Sequence, residues 1–129
     1  MTSPVDTSET AGAPLAAVFA RLEVMKKRSD FVAASKARYQ TATGLTVQMR
    51  NRGDDDPKVR VGFTCSKKVG NAVARNRAKR RLREIARLDL PMLAKAGHDY
   101  VLIGKKDVTA NRDFEDLRGD LSKAIGKLS

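Results

Sequence analysis

Near the end of the chain, apolar residues recur at intervals of three and four: Phe114, Leu117, Leu121, Ile125 and Leu128. That period gathers them on one face of a helix. Asn111 stands where a cap is expected. Asp113 and Glu115 lie near the helix start and Lys123 and Lys127 near its end, each sign where the helix dipole favours it. A second helical arc, at about 100° per residue, runs through Ala74, Ala78, Leu82, Ile85 and Ala86. It opens after Gly70-Asn71 and is predicted to end before Pro91. Between residues 45 and 65 the period changes to two. Leu45, Val47 and Met49 alternate with Thr46, Gln48 and Arg50, and Val59, Val61, Phe63 and Cys65 alternate in the same way. Each run predicts a strand with one buried face, and the intervening NRGDDDP reads as a turn, so the pair predicts a hairpin. Tyr100 to Ile103 is a short apolar run suited to a buried strand, and Ser29 or Asp30 is placed to cap a short helix through about Tyr39.

The order α, β, β, α, β, α predicts an α+β sandwich with the last helix packed on the sheet. Its 129 residues allow one domain with a single modest core. Residues 1–20 contain no Lys or Arg and are rich in Ser, Thr, Ala and Pro, which predicts a flexible extension before a single domain at 21–129. No run approaches the 18 or so apolar residues of a membrane span. Leu15 to Ala20 is too short for a secretory core and Asp6 and Glu9 stand where positive charge is needed, so a cytoplasmic protein is expected. The single cysteine, Cys65, fits a reducing compartment and points with the apolar face of its strand, as a small core residue.

Charge sharpens this picture. Residues 66–87 carry nine Lys or Arg against one acid, Glu84, a net of +8 in a chain whose total is +11. Lys79, Arg80, Arg83 and Arg87 share one flank of the helix with Asn76, while Arg77 and Arg81 lie on the other side. A solvated helix gains a few tenths of a kcal/mol from each Glu–Lys pair four apart. Here those pairs are nearly all absent, with only Glu84 available to Arg80 or Arg81. Cations this dense need a polyanion, and guanidinium forks match phosphate oxygens.

The run from Arg60 to Glu84, RVGFTCSKKVGNAVARNRAKRRLRE, resembles the signature of the bacterial ribonuclease P protein family, whose motif is known as RNR. Weaker likenesses flank it in the family's order, Lys27-Arg28-Ser29-Asp30-Phe31 upstream and Asp99 to Lys106 downstream. The resemblance implies a two-layer α+β sandwich of ribosomal-protein type, with a mixed sheet and a left-handed βαβ crossover where general rules favour the right-handed one. It implies a protein subunit that binds the catalytic RNA of ribonuclease P and the 5′ leader of precursor tRNA. The RNA subunit would carry the active site and the Mg²⁺, leaving no tightly bound cofactor here. Neither a membrane nor DNA is expected as a partner. Arg75, Asn76, Arg77, Lys79, Arg80 and Arg83 match the motif, and Arg60, Lys67, Lys68 and Asn71 match its approach. The leader is expected in a cleft between the basic helix and the sheet, where aromatic rings stack on bases. Phe31 matches the first such aromatic, although its residue type equally suits a core anchor. Ser35 and Gln48 stand where relatives carry aromatics, with Tyr39 nearby as a substitute for stacking.

Catalytic chemistry on this chain is hard to assemble. One histidine, His98, and one cysteine provide neither a His/Cys metal cluster nor a Cys-His nucleophile, and His98 reads as a turn residue. Asp54, Asp55 and Asp56 are weak candidates for a metal, more simply read as a solvated turn, although the corresponding loop in the family is associated with metal ions. A small structural RNA-binding protein of ribosomal type is the alternative reading. A metal-dependent nuclease would need carboxylates converging from separate elements.

Overall fold

The computed structural model describes residues 22–65 and 70–129, so the predicted extension at 1–20 lies outside the described residues. Five strands form one mixed sheet: β1 (Leu22–Val24), β2 (Arg38–Thr41), β3 (Leu45–Asn51), β4 (Val59–Cys65) and β5 (His98–Gly104), in the order β1-β4-β5-β3-β2. Four helices accompany them: α1 (Arg28–Ser35), α2 (Ala72–Leu93), α3 (Val108–Asn111) and α4 (Phe114–Leu128). The α+β sandwich expected from the sequence is what the chain forms.

The two middle strands do not form a hairpin. β5 lies between them, parallel to β4 with Val61 opposite Tyr100, and antiparallel to β3 with Val47 opposite Leu102. The reason is visible in β5 itself, where Asp99, Tyr100, Val101 and Leu102 are all buried. A strand buried on both faces belongs in the middle of a covered sheet, whereas β3 alternates and β4 is only half-buried from Phe63 to Cys65. The hairpin is instead made by β2 and β3, with Tyr39 opposite Gln48. The segment linking β3 to β4 crosses the start of β5 and is held there by Arg52. Its guanidinium donates to the carbonyls of Asp56 (2.8 Å), Lys58 (2.6 Å) and His98 (3.2 Å).

Other boundaries also move. α1 ends at Ser35, whose hydroxyl donates back to the Val32 carbonyl (2.6 Å), and Tyr39 therefore lies on an edge strand rather than in a helix. The N-cap of α1 is Lys27, without a side-chain cap, so neither Ser29 nor Asp30 serves. α2 runs through Pro91 to Leu93. Proline there removes a single hydrogen bond in the last turn, and its ring is buried. α4 is capped by Asp113, which accepts from the Asp116 N–H (3.2 Å), because Asn111 closes the short helix α3.

The principal core lies between one face of the sheet and the pair α2 and α4. α2 packs on β4 and β5, α4 on β3 and β2. Most of each expected stripe is buried, Ala78, Leu82, Ile85 and Ala86 from α2 and Leu117, Leu121, Ile125 and Leu128 from α4, while Ala74 and Phe114 are half-buried. A smaller cluster of Met25, Ala34 and Val101, with Phe31 and Ile103 against it, lies under α1 on the opposite face. No helix among the described residues is long and apolar enough to cross a membrane.

Candidate nucleic-acid interface

Asn71 starts the basic helix by accepting the Ala74 N–H (3.0 Å), one of the four donors that the first turn leaves unpaired. With Ala78, Leu82 and Ile85 facing the core, Asn76, Arg77, Arg80 and Arg83 are exposed and Arg75 and Lys79 half-buried. None of these five cations forms an ion pair among the described residues. The Arg83 guanidinium stands 5.7 Å from the centre of the Phe63 ring, so this flank overlooks β4. Glu84 pairs with Arg87 (2.6 Å), not with Arg80 or Arg81 as expected, which leaves Arg80 to solvent.

Arg81 turns inward. It donates to the Ala110 carbonyl (3.0 Å) and to that of Arg112, and lies 5.7 Å from the Phe114 ring centre. It therefore fastens α2 to the connection between α3 and α4. Lys67 and Lys68 lie outside the described residues.

Arg60, expected to contact RNA, is committed inside the protein. Two of its nitrogens bond Asp99 (2.8 and 2.7 Å) and a third reaches Asp30 at 3.1 Å. Asp99 is fully buried, and Arg52 (2.8 Å) and Arg50 (3.5 Å) complete a ring of three arginines round it. Burial alone would raise the Asp99 pKa, but hydrogen bonds from Arg60 and Arg52 outweigh it and hold the carboxyl below its ordinary value. The hydrogen bond to Asp99 in turn raises the pKa of Arg60. Sequence reasoning missed this centre. The available signal was an acid opening an otherwise apolar strand, which requires a buried cationic partner.

The three leader-cleft candidates share the sheet face on which α1 lies. Tyr39 is opposite Gln48, Gln48 opposite Val101, and Val101 opposite Gly62, a single row across β2, β3, β5 and β4. Phe31 of α1 closes the row: a Cβ on Gly62 would lie 2.6 Å from Phe31 Cε1, so the ring rests directly on the glycine backbone. Tyr39 at the other end is 67% exposed, available to a stacking partner. The basic helix packs on the opposite face, so these residues lie on the α1 side of the sheet and not between the sheet and α2 as expected.

Two carboxylates of the acidic turn are bonded within it. Asp54 accepts from Arg52 (3.0 Å) and from the Asp56 N–H (3.2 Å), while Asp56 accepts from the Lys58 N–H (3.0 Å). Among the described residues no three His, Cys, Asp or Glu side chains are placed to hold a metal ion. His98 directs Nδ1 to the Ala96 carbonyl (2.9 Å), a turn contact. Cys65 is half-buried between β4 and α2, and burial pushes its thiol pKa up, the wrong direction for a nucleophile.

Comparison with known proteins agrees with the geometry. The family model described as Ribonuclease P matches residues 19–129. The ribonuclease P protein component of Ruegeria pomeroyi is 57% identical over 108 residues, covering 83% of this chain and 86% of that protein. That of Caulobacter vibrioides is 50% identical over 109 residues, covering 84% and 72%. Among solved structures, the ribonuclease P protein from Thermotoga maritima superposes with a TM-score of 0.68 at 27% identity, covering 83% of this chain and 98% of that one. The Staphylococcus aureus protein gives 0.67 at 25% identity, covering 82% and 94%.

Proposed function

Because the chain belongs to the ribonuclease P protein family, as the protein component of a tRNA-processing endoribonuclease, we propose that it grips the catalytic RNA with one flank of α2 and precursor tRNA with the groove under α1. The observation that carries this reading is the cluster of cations on α2 without ion-pair partners among the described residues, in a helix whose other face is core. Phosphates approaching Arg80 and Arg83 meet guanidinium groups already displayed outward, so little side-chain rearrangement opposes binding. Neutralising RNA phosphates lowers the repulsion that opposes folding of the catalytic RNA at physiological ionic strength.

In the groove, Phe31, Gln48 and Tyr39 face a single-stranded leader. Rings stack on any base, and Gln48 adds a hydrogen-bonding amide, a combination that tolerates many leader sequences. Asp54 and Asp56 are engaged by Arg52, Lys58 and turn N–H groups, which supports assigning the Mg²⁺ that the hydrolysis requires to the RNA. In this reading the ion and the catalytic groups belong to the RNA, and the chain binds and positions. The test is reconstitution: the purified chain, a bacterial ribonuclease P RNA and precursor tRNA are mixed at low Mg²⁺. Cleavage is expected at the 5′ leader junction only when RNA and protein are both present. Cleavage by RNA-free protein, or no stimulation by it, would reject the reading.

A further inference from the structure

At the end of the helical layer remote from the basic flank, α4 and the β2–β3 edge enclose a groove of about 450 Å³ whose lining includes Lys105, Lys123, Lys127, Asp120, Gln40 and Thr41. Its separation from the basic flank follows from the sheet order. α2 covers β4 and β5 with Arg83 over Phe63 of β4, while α4 covers β3 and the edge strand β2. Asp120 is the one carboxylate in the lining, and Arg112 already neutralises it, donating to both oxygens (2.5 and 3.2 Å). None of the three lysines forms an ion pair among the described residues. The Lys105 ammonium donates to the Ala42 carbonyl, which keeps it at the groove.

Lys123 and Lys127 stand four apart on the exposed face of α4, with Gly119 and Gly126 at exposed positions where acids could have balanced them and with Asp120, one turn before Lys123, taken by Arg112. Lys127, in the last turn, answers the helix dipole, but like charges four apart repel, a cost that an anion between the two ammonium groups would remove. The exposed large apolar side chains, such as Met92 and Leu88, lie elsewhere, so the groove lacks the apolar anchor a protein partner would use. Ammonium groups converging on a polar trough suit phosphate oxygens.

We propose that this groove binds a second stretch of RNA phosphodiester backbone, so that the protein holds RNA at both lateral ends of its helical layer. The proposal rests on the reading of the chain as an RNA-bound subunit, and the experiment separates the two. The double variant Lys123→Gln/Lys127→Gln is compared with wild type and with Arg80→Ala over a salt series, in two arms: protein binding to ribonuclease P RNA, and holoenzyme binding to precursor tRNA. Each lost phosphate contact lowers the slope of log affinity against log salt by about 0.7–0.9. The double variant should lose about twice that in one arm, with an unchanged melting temperature, and the arm affected identifies the RNA. Lys123→Arg/Lys127→Arg should keep the wild-type slope. If Arg80→Ala lowers the slope while the double variant matches wild type in both arms, the groove is not an RNA site. Wild-type slopes for all variants would overturn the RNA-bound subunit itself.

Discussion

In the proposed leader groove the Phe31 ring rests on the Gly62 backbone. A methyl group at residue 62 would enter the space of the Phe31 ring edge, 2.6 Å from Cε1 and 2.7 Å from Cζ. Gly62→Ala should therefore displace the ring and cost roughly 1–3 kcal/mol of stability, read by chemical denaturation. Phe31→Ala removes the ring itself. It is expected to weaken holoenzyme affinity for precursor tRNA by about 1–3 kcal/mol. Mature tRNA, which has no leader to stack, should bind nearly as before, and equal losses for both RNAs would remove Phe31 from the groove. The residue type alone left this position open between base stacking and core packing. The fold shows that it does pack, against Met25, Ala34 and Val101, so the melting temperature should also fall. Arg60 was equally ambiguous as a residue, because guanidinium groups serve buried carboxylates as readily as phosphates. Its assignment to Asp99 and Asp30 was fixed by strand register, which sets Arg60 opposite Asp99.

At the scale of elements, α2 has two separable tasks. Its start depends on Asn71, and Asn71→Ala should cost about 1 kcal/mol of folding stability while leaving the salt dependence of RNA binding unchanged. Its exposed arginines, Arg80 on one flank and Arg77 on the other, have the opposite profile. Arg77→Ala and Arg80→Ala should each reduce the slope of log affinity for the catalytic RNA against log salt by about 0.7–0.9, with little change in denaturation midpoint. Arg87→Ala is the internal comparison, since its guanidinium is already paired with Glu84 in the same helix and has less to offer a phosphate. The core stripe and the charged flank of this helix were both legible in the sequence, because a 3.6-residue period assigns every position to a face. Its end was not. The rule that proline stops a helix yields when only the last turn is affected and the ring finds a buried seat.

For the whole molecule, Asp99 ties the parts together: through Arg60 it reaches Asp30 on α1, and through Arg52 it holds the link between β3 and β4. Its folded pKa lies below the unfolded value, so its contribution to stability is complete above about pH 4 and is lost as pH falls through the lower folded value. Asp99→Asn leaves Arg60 and Arg52 without their shared counter-charge, and should cost about 3 kcal/mol at pH 7. The gap to wild type should narrow as the pH falls below about 4 and the native carboxyl protonates. A gap that stays constant from pH 7 to pH 2 in thermal melts would show that charge is not what Asp99 contributes. The same centre marks the boundary between what the chain alone and the folded protein decide. Periodicity, charge density and the run from Arg60 to Glu84 determined the α+β class, the buried stripes, the basic flank and the family, because each depends on neighbours within one element. The place of β5 between β3 and β4, the sheet face shared by Phe31, Gln48 and Tyr39, and the partners of Arg60 and Arg81 were decided by tertiary structure. Alternation tells a strand which face to bury but not which strand lies beside it, and an arginine's partner is chosen by whatever packing brings within about 3 Å.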